Sequence, residues 1–379
     1  MDRDIIIAID AMGGDKGPDM VVAGLARAHQ RHPSVRFLLC GDEKRLKPLV
    51  DADKALKKIC DIKHADIEIA MDAKPSQALR QGRGKSGMWM ALEAVRDGSA
   101  GACVSAGNTG ALMAMAKLCL RMIEGIDRPA IAGVWPHLNG ELVVLDLGAN
   151  IEADARQLVE FALMGEDFAR IYLNVENPRV ALLNIGTEEM KGRDNVREAA
   201  ALLSNSAMPV EFVGFIEGNH IFEGSADVIV TDGFTGNIAL KTAEGTAQLI
   251  GASLTRALKR TFISRLGAFL AMGALRSLKE RLDPRSANAG IFLGVNGIVV
   301  KSHGGTDAMG FAAAVDLAVE LTASDLIGRI AADLARAQDI FSQRTGDGNA
   351  GREAGREDGV DSQNIGYETD PSENRVKLS

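Results

Sequence analysis

Short apolar runs alternate with stretches of helical spacing from about residue 4 to residue 341, and most of the runs end in glycine, asparagine or aspartate. Ile5-Ile6-Ile7-Ala8-Ile9 is unbroken by polar residues, as expected of a strand whose sheet is covered on both faces. A helix is predicted from about Asp19 to Arg31, then strand Val35 to Leu39 and helix Glu43 to Asp51. Asp66 to Ala70 is a short strand candidate, followed by a helix from about Met88 to Arg96. Strand Ala102 to Val104 and helix Ala111 to Met122 precede two strands, Ala130 to Trp135 and Leu142 to Leu147, joined by a turn at Pro136 to Gly140. A helix from Ala155 to Tyr172 leads to strands Val180 to Ile185, Val210 to Phe215 and Val228 to Val230. Helix Ile238 to Leu258, strands Ile291 to Val295 and Gly297 to Lys301, and an alanine-rich helix from Asp307 to Phe341 complete the pattern. Strands alternating with helices in this way predict an α/β fold, as one large domain or two smaller ones.

Two of the strand-to-helix loops have the same make. Val104-Ser105-Ala106-Gly107-Asn108-Thr109-Gly110 and Val230-Thr231-Asp232-Gly233-Phe234-Thr235-Gly236 both read V-[ST]-x-G-x-T-G. A strand that turns through glycines into a helix leaves unpaired N–H groups at the positive end of the helix dipole, where an anion, above all a phosphate, is favoured. Gly, Asn and Thr are also ordinary turn and cap residues, so one such loop is a weak signal. Two in one chain point to an enzyme that handles phosphate, without naming its reaction.

Other polar loops sit at the carboxyl ends of strands, where ligands of open α/β sheets bind. Asp10-Ala11-Met12-Gly13-Gly14-Asp15-Lys16 lacks the spacing of a dinucleotide fingerprint, and Arg80 to Gly87 contains Gly-Lys-Ser without the context of a P-loop. Asp146 to Asn150, Asn184 to Gly192, Ile216 to Asn219 and Lys301 to Gly305 extend the series toward one shared cleft. No cofactor is expected, and a metal at Asp10 or Asp15 lacks a convincing ligand set.

Composition narrows the classes. A net charge of −8 with 4% aromatic residues argues against a nucleic-acid binder. Cys40, Cys60, Cys103 and Cys119 are scattered, which fits a reducing cytoplasm better than a disulfide framework or zinc site. No secretory leader and no membrane-spanning run are expected. One segment departs from the acidic background: Arg256 to Arg285 holds eight Lys or Arg against two acidic residues, interleaved with Phe262, Leu266, Phe269, Leu275, Leu278 and Leu282. Two short amphipathic helices in a hairpin are expected there, facing an anionic membrane, an acidic protein or a partner subunit. From Ser342 onward the composition predicts a disordered tail, outside a domain spanning residues 1–341.

Five motifs in one order, Ile9 to Asp15, Ser105 to Ala111, Asp146 to Asn150, Asn184 to Glu188 and Asp232 to Asn237, resemble the bacterial phosphate acyltransferases of phospholipid synthesis, the PlsX family, over roughly residues 4 to 341. The resemblance implies transfer of a long-chain acyl group from acyl carrier protein to inorganic phosphate. The acyl phosphate product would supply a glycerol-3-phosphate acyltransferase. It also implies a three-layer α/β/α fold akin to phosphotransacetylases and isopropylmalate dehydrogenases, a homodimer, and peripheral membrane association. Phosphate is already an anionic nucleophile, so the site needs to hold it against a thioester and to stabilise an oxyanion.

Candidate phosphate- and acyl-binding residues are Asp10, Gly13, Gly14, Asp15 and Lys16 in the first loop, and Gly107, Thr109 and Gly110 in the first signature loop. Asn150, Asn184, Gly186 and Glu188 follow, then Asp232, Gly233, Thr235, Gly236, Asn237 and Lys241. Asn108, Lys191 and His303 are the catalytic candidates, His303 or Lys191 to polarise the carbonyl or protonate the thiolate. Lys301 is a further candidate countercharge. Arg265, Phe269, Leu270, Arg276 and Lys279 are the candidate partner or membrane surface. The rival readings are a short-chain phosphotransacylase using acyl-coenzyme A and, outside enzymes, a membrane-associated phosphate-binding scaffold.

Overall fold

Eleven strands form one sheet whose two halves run in opposite directions. In the computed structural model, which describes residues 5–281 and 289–338, the strands are β1 (Ile6–Asp10), β2 (Arg36–Gly41), β3 (Cys60–His64), β4 (Ala102–Ser105), β5 (Ala130–His137), β6 (Gly140–Leu145), β7 (Arg179–Leu183), β8 (Glu211–Ile216), β9 (Val228–Val230), β10 (Ala289–Leu293) and β11 (Ile298–Ser302). Their order is β3-β2-β1-β4-β11-β10-β5-β6-β9-β7-β8. Pairing is parallel from β3 to β11 and again from β6 to β8, while β10 and β5 pair antiparallel with both of their neighbours.

Alternation along the strands sorts the core into two faces. Ala8, Cys103, Ile131, Val144, Ile229 and Val299 turn toward the helices Gly87–Arg96 and Thr109–Leu120 in one cluster. On the opposite face, helix Gly17–Arg31 packs closely against Ala308–Thr322, with Gly24 beside Phe311. Helix Ala155–Tyr172 lies over Leu145 and Val228, where Gly165 lets it approach. The result is the α/β class expected from the alternation.

Several boundaries differ from expectation for physical reasons. Residues 66–70 form no strand, only an isolated bridge between Ile67 and Ser86. The unforeseen edge strand is β3, whose Cys-Asp-Ile-Lys-His sequence has its polar residues facing solvent. The final helix is broken: Ala308–Thr322 ends where Ser324 Oγ donates to the Leu321 carbonyl at 2.7 Å, and a second helix runs from residue 326. Helix Gly233–Lys259 starts five residues earlier than predicted because Asp232 accepts from Thr235 N–H at 2.8 Å and caps it.

Helices Phe262–Leu270 and Met272–Arg281 follow in the basic segment, the first opened by a capping box between Thr261 and Ser264. The side chains of Leu278, Lys279, Leu282 and Arg285 and the tail from Ser342 lie outside the described residues. No helix among those described is long and apolar enough to cross a membrane.

Candidate active site

A continuous row of residues crosses the middle of the sheet on one face. Asp10 is in register with Ser105, Ser105 with Lys301, Lys301 with Gly290, and Gly290 with Gly133. Paired residues project to the same side. The row therefore passes from an acid, a hydroxyl and an amine to two glycines that project nothing. That bare stretch is the floor of a cavity of about 580 Å³, completed by Ile131 and Ala289. The same row continues through Val144 to Ile229, one position short of the ends of β6 and β9. Loops leaving the two opposed halves of the sheet thus flank one strip.

On one side, the loops after β1, β4 and β11 lock together. Ser105 Oγ donates to Asp10 Oδ2 at 2.6 Å and accepts from Gly107 N–H at 3.0 Å. A Cβ on Gly13 would lie 2.6 Å from the Gly107 nitrogen, so these two backbones meet because Gly13 lacks a side chain. Asp15 N–H donates to the Gly304 carbonyl at 2.9 Å. Asn108 caps helix Thr109–Leu120 through Ala111 N–H at 2.9 Å, and its Nδ2 donates to the carbonyls of Met71 and Ala73.

On the other side, Asp146 organises the loop after β6. Its Oδ1 accepts from Ile131, Gly148 and Ala149 N–H, and its Oδ2 from Asn150 N–H and Nδ2. Asn150 also donates to the Pro129 carbonyl at 2.8 Å. A Cβ on Gly236 would lie 2.0 Å from the Asp146 carbonyl oxygen, so the second signature loop sits directly on this one. Asp232 accepts from Thr235 Oγ1 as well, and Arg193 reaches it at 3.5 Å.

Both signature loops reach the same cavity, through Thr109 from the first and Gly233, Phe234 and Asn237 from the second. Asp15, Asn150, Lys241 and His303 complete the expected residues that line it, with Lys301. Lys241 is paired with Glu244 at 2.8 Å. His303 Nδ1 accepts from Gly305 N–H at 3.1 Å, and burial, then Lys241 and Lys301, hold its imidazole below the usual histidine range. Asp10, Gly13 and Gly107 pack together and Gly14 lies against Ala106 and Gly304, none of the four in the lining; Gly110 packs against Pro75, and Lys16 is exposed at the start of helix Gly17–Arg31.

The loop from Asn184 to Gly192 stands apart from this lining. Lys191 is exposed, with its side chain over Gly186 near Glu188, and its carbonyl accepts from Asn184 Nδ2 at 3.0 Å. Asn184, Asp232, Thr235 and Arg265 instead line a larger apolar groove of about 2010 Å³, which shares Leu240 and Glu244 with the polar cavity. Beyond the groove, Phe262, Ile263, Phe269 and Leu270 are 81%, 80%, 66% and 78% exposed, so none of them belongs to the core of a single chain. Arg276 is exposed nearby.

Sequence reasoning passed over Ser105 as a functional residue and missed the glycine floor. A lone glycine inside a strand signals close backbone approach or missing bulk, and Gly133 and Gly290 carried that signal. Burial pushes Asp10 up to about 6 and Cys40 up to about 12, and holds the Cys103 thiol well above the usual thiol range. These buried thiols are inert.

An α/β sheet with two glycine-led helix starts beside one polar cavity offers the N–H groups and cations that an anionic substrate needs. The fold agrees with solved acyl-transferring enzymes: it superposes on a phosphotransacetylase from Streptococcus pyogenes with a TM-score of 0.54 at 16% identity, covering 90% of this chain and 95% of that one. A branched-chain phosphotransacylase from Enterococcus faecalis gives 0.51 at 14% identity, covering 84% and 99%. Residues 5–329 match the family described as "Fatty acid synthesis protein". A phosphate acyltransferase of Parvibaculum lavamentivorans is 52% identical over 346 residues, 91% of this chain and 96% of that one. One of Brucella ovis is 52% identical over 332 residues, covering 87% and 96%. The chain belongs to this phosphate acyltransferase family of enzymes.

Proposed function

We propose that the protein moves a long-chain fatty acyl group from acyl-[acyl carrier protein] to inorganic phosphate. A phosphate oxygen attacks the thioester carbonyl, the C–S bond breaks, and the products are acyl phosphate and the carrier thiol. The carrying observation is one cavity lined by both signature loops and served by Thr109, Asn237 and Lys241, with no cysteine among the described residues of its lining and the Cys40 and Cys103 thiols buried in the core. Phosphate supplies its own nucleophilic oxygen, so positioning and charge stabilisation suffice.

In this reading Asn108 and Asp10 act by holding the loops, while Asn150 and Asp232 hold the opposite wall. His303 donates toward the thioester oxygen or the departing sulfur. Lys191 enters from its exposed loop when substrate binds, with Asn184, Gly186 and Glu188 shaping that loop. The adjoining apolar groove receives the acyl chain from the cavity side, past Leu240.

The exposed residues around Phe269 and Leu270, with Arg265, Arg276 and Lys279, meet an anionic membrane surface, and the acidic carrier approaches the same positive face. Two chains pair as a homodimer through exposed apolar positions of helix Gly233–Lys259, including Leu249 and Ile250. Acyl phosphate, an activated mixed anhydride, then serves a glycerol-3-phosphate acyltransferase.

The test is incubation of full-length protein with phosphate and either long-chain acyl carrier protein or acyl-coenzyme A. Phosphate-dependent acyl phosphate from the carrier-bound donor is the expected result. Product from coenzyme A alone favours the short-chain phosphotransacylase, and no product from either, in a folded protein, leaves only a binding scaffold.

A further inference from the structure

Lys301 is the buried cation of the cavity. It is 8% exposed, whereas Lys16 and Lys191 are exposed and lie off the lining, and Lys241 is paired with Glu244. Its Nζ donates to the carbonyls of Ser302 and Ala106, neutral acceptors that hold the ammonium without cancelling its charge. An ammonium has three N–H groups, so two such bonds leave one. Beside it in the row lie Gly290 and Gly133, whose missing side chains open the floor toward the cavity. Keeping a buried lysine charged is costly, and the Asp10 and Asp15 carboxylates offset that cost only in part. The cavity provides the space for a further anion.

We infer that Lys301 is the phosphate-binding cation of this site and that Asp10 and Ser105 are positioning residues which fix its place, an inference that rests on the phosphate-acyltransferase reading. Ser105 links the two halves of that arrangement. Its hydroxyl donates to Asp10, while its oxygen accepts from Gly107 and so holds the signature loop that ends beside the cavity at Thr109. The Ala106 carbonyl of that same loop receives the Lys301 ammonium, so the loop and the cation move as one unit.

The electrostatics agree in sign. Burial lowers Lys301, the carboxylates of Asp10 and Asp15 pull it partly back, and the balance stands at about 8. Lys241, Glu244 and His303 are the other titratable groups of the lining. The ammonium is thus present below about pH 8 and lost above it.

The experiment is the KM for inorganic phosphate of the full-length enzyme between pH 7 and 9, at saturating acyl donor. For the wild type, the charged fraction of a group near 8 falls from about nine-tenths to about one-tenth, so KM rises roughly tenfold. Lys301→Arg keeps its charge throughout and gives a flat profile; any change from phosphate's own ionisation is shared by both proteins. Lys301→Met, an apolar replacement of similar length, raises KM at pH 7 by about 10- to 100-fold, with a smaller change in kcat. Asp10→Asn shifts the wild-type rise toward lower pH.

Binding of inorganic phosphate measured by calorimetry on the same proteins, with thermal unfolding as a folding check, gives a readout independent of turnover. Wild-type phosphate affinity in folded Lys301→Met, or an unchanged pH profile in Lys301→Arg, overturns the inference. Failure of the acyltransfer reading shows separately, as wild-type protein that binds phosphate as described but makes no acyl phosphate.

Discussion

Replacing Asp146 tests whether the loop after β6 is held by a single carboxylate. The residue is fully buried and accepts five hydrogen bonds at 2.7 to 3.2 Å, three on Oδ1 and two on Oδ2. In Asp146→Asn, the best orientation keeps the amide oxygen on Ile131, Gly148 and Ala149. The new NH2 then faces the Asn150 N–H and Nδ2, donor against donor. A buried donor left unpaired costs about 1–3 kcal/mol, so two of them cost about 3 kcal/mol after partial relaxation. Asp146→Ala removes all five acceptor contacts and costs more, about 4–5 kcal/mol once water refills part of the space.

Urea denaturation followed by intrinsic fluorescence measures both, read as a shift in midpoint at unchanged slope. Because Gly148 and Asn150 line the cavity, kcat/KM falls in both variants even at temperatures where they remain folded. A loss below about 1 kcal/mol in Asp146→Asn would refute the reasoning, because the five bonds would then be contributing far less than buried charge-assisted bonds do.

Three further outcomes are expected. His303 lies below the ordinary histidine range and is neutral at pH 7, so it acts as a hydrogen-bond donor; His303→Asn retains more turnover than His303→Ala, and equal near-normal rates in both would remove it from the mechanism. Asp167 is pushed up to about 7 by burial and by Glu166, against Arg170, Arg329 and Arg336. The unfolded chain releases this proton near 4, so wild-type stability falls as pH rises from about 4 to 7, and Asp167→Asn escapes that fall, gaining on the order of 2 kcal/mol by pH 8 and nothing at pH 4 in urea titrations. Changing Phe269 and Leu270 to serine weakens sedimentation with anionic vesicles by at least about tenfold per side chain if each is buried in lipid; unchanged sedimentation would place the membrane contact elsewhere.

The loops were legible in the sequence because their chemistry is local. Asn108 and Asp232 cap helices within three residues of themselves, and glycines mark the turns before and after them. Helix Ala155–Tyr172 was legible to the residue because its period is regular and Asp154 with Gln157 forms a capping box. What joins distant segments was not. Gly290 meets Gly133 only through antiparallel pairing across 156 intervening positions, and the Asp10–Ser105–Lys301 series depends on the order of three strands in the sheet. Lys191 looked like a cleft residue because it follows a strand, yet the loop leaving β7 lines the apolar groove through Asn184, Ile185 and Gly192, while the loops after β6 and β9 of the same half reach the polar cavity. The alanine-rich run hid a helix break because Ala323-Ser324 is weak punctuation until the serine hydroxyl folds back on Leu321.

The central claim is that phosphate itself attacks the acyl donor in the shared cavity. Rapid mixing of the enzyme with long-chain acyl carrier protein, first without and then with phosphate, tests it by thiol release and intact-protein mass. Direct attack predicts no thiol and no added mass until phosphate arrives, then one thiol for each acyl phosphate formed. Thiol released without phosphate, with an acyl group's mass added to the protein, would contradict it and demand a nucleophile on the enzyme.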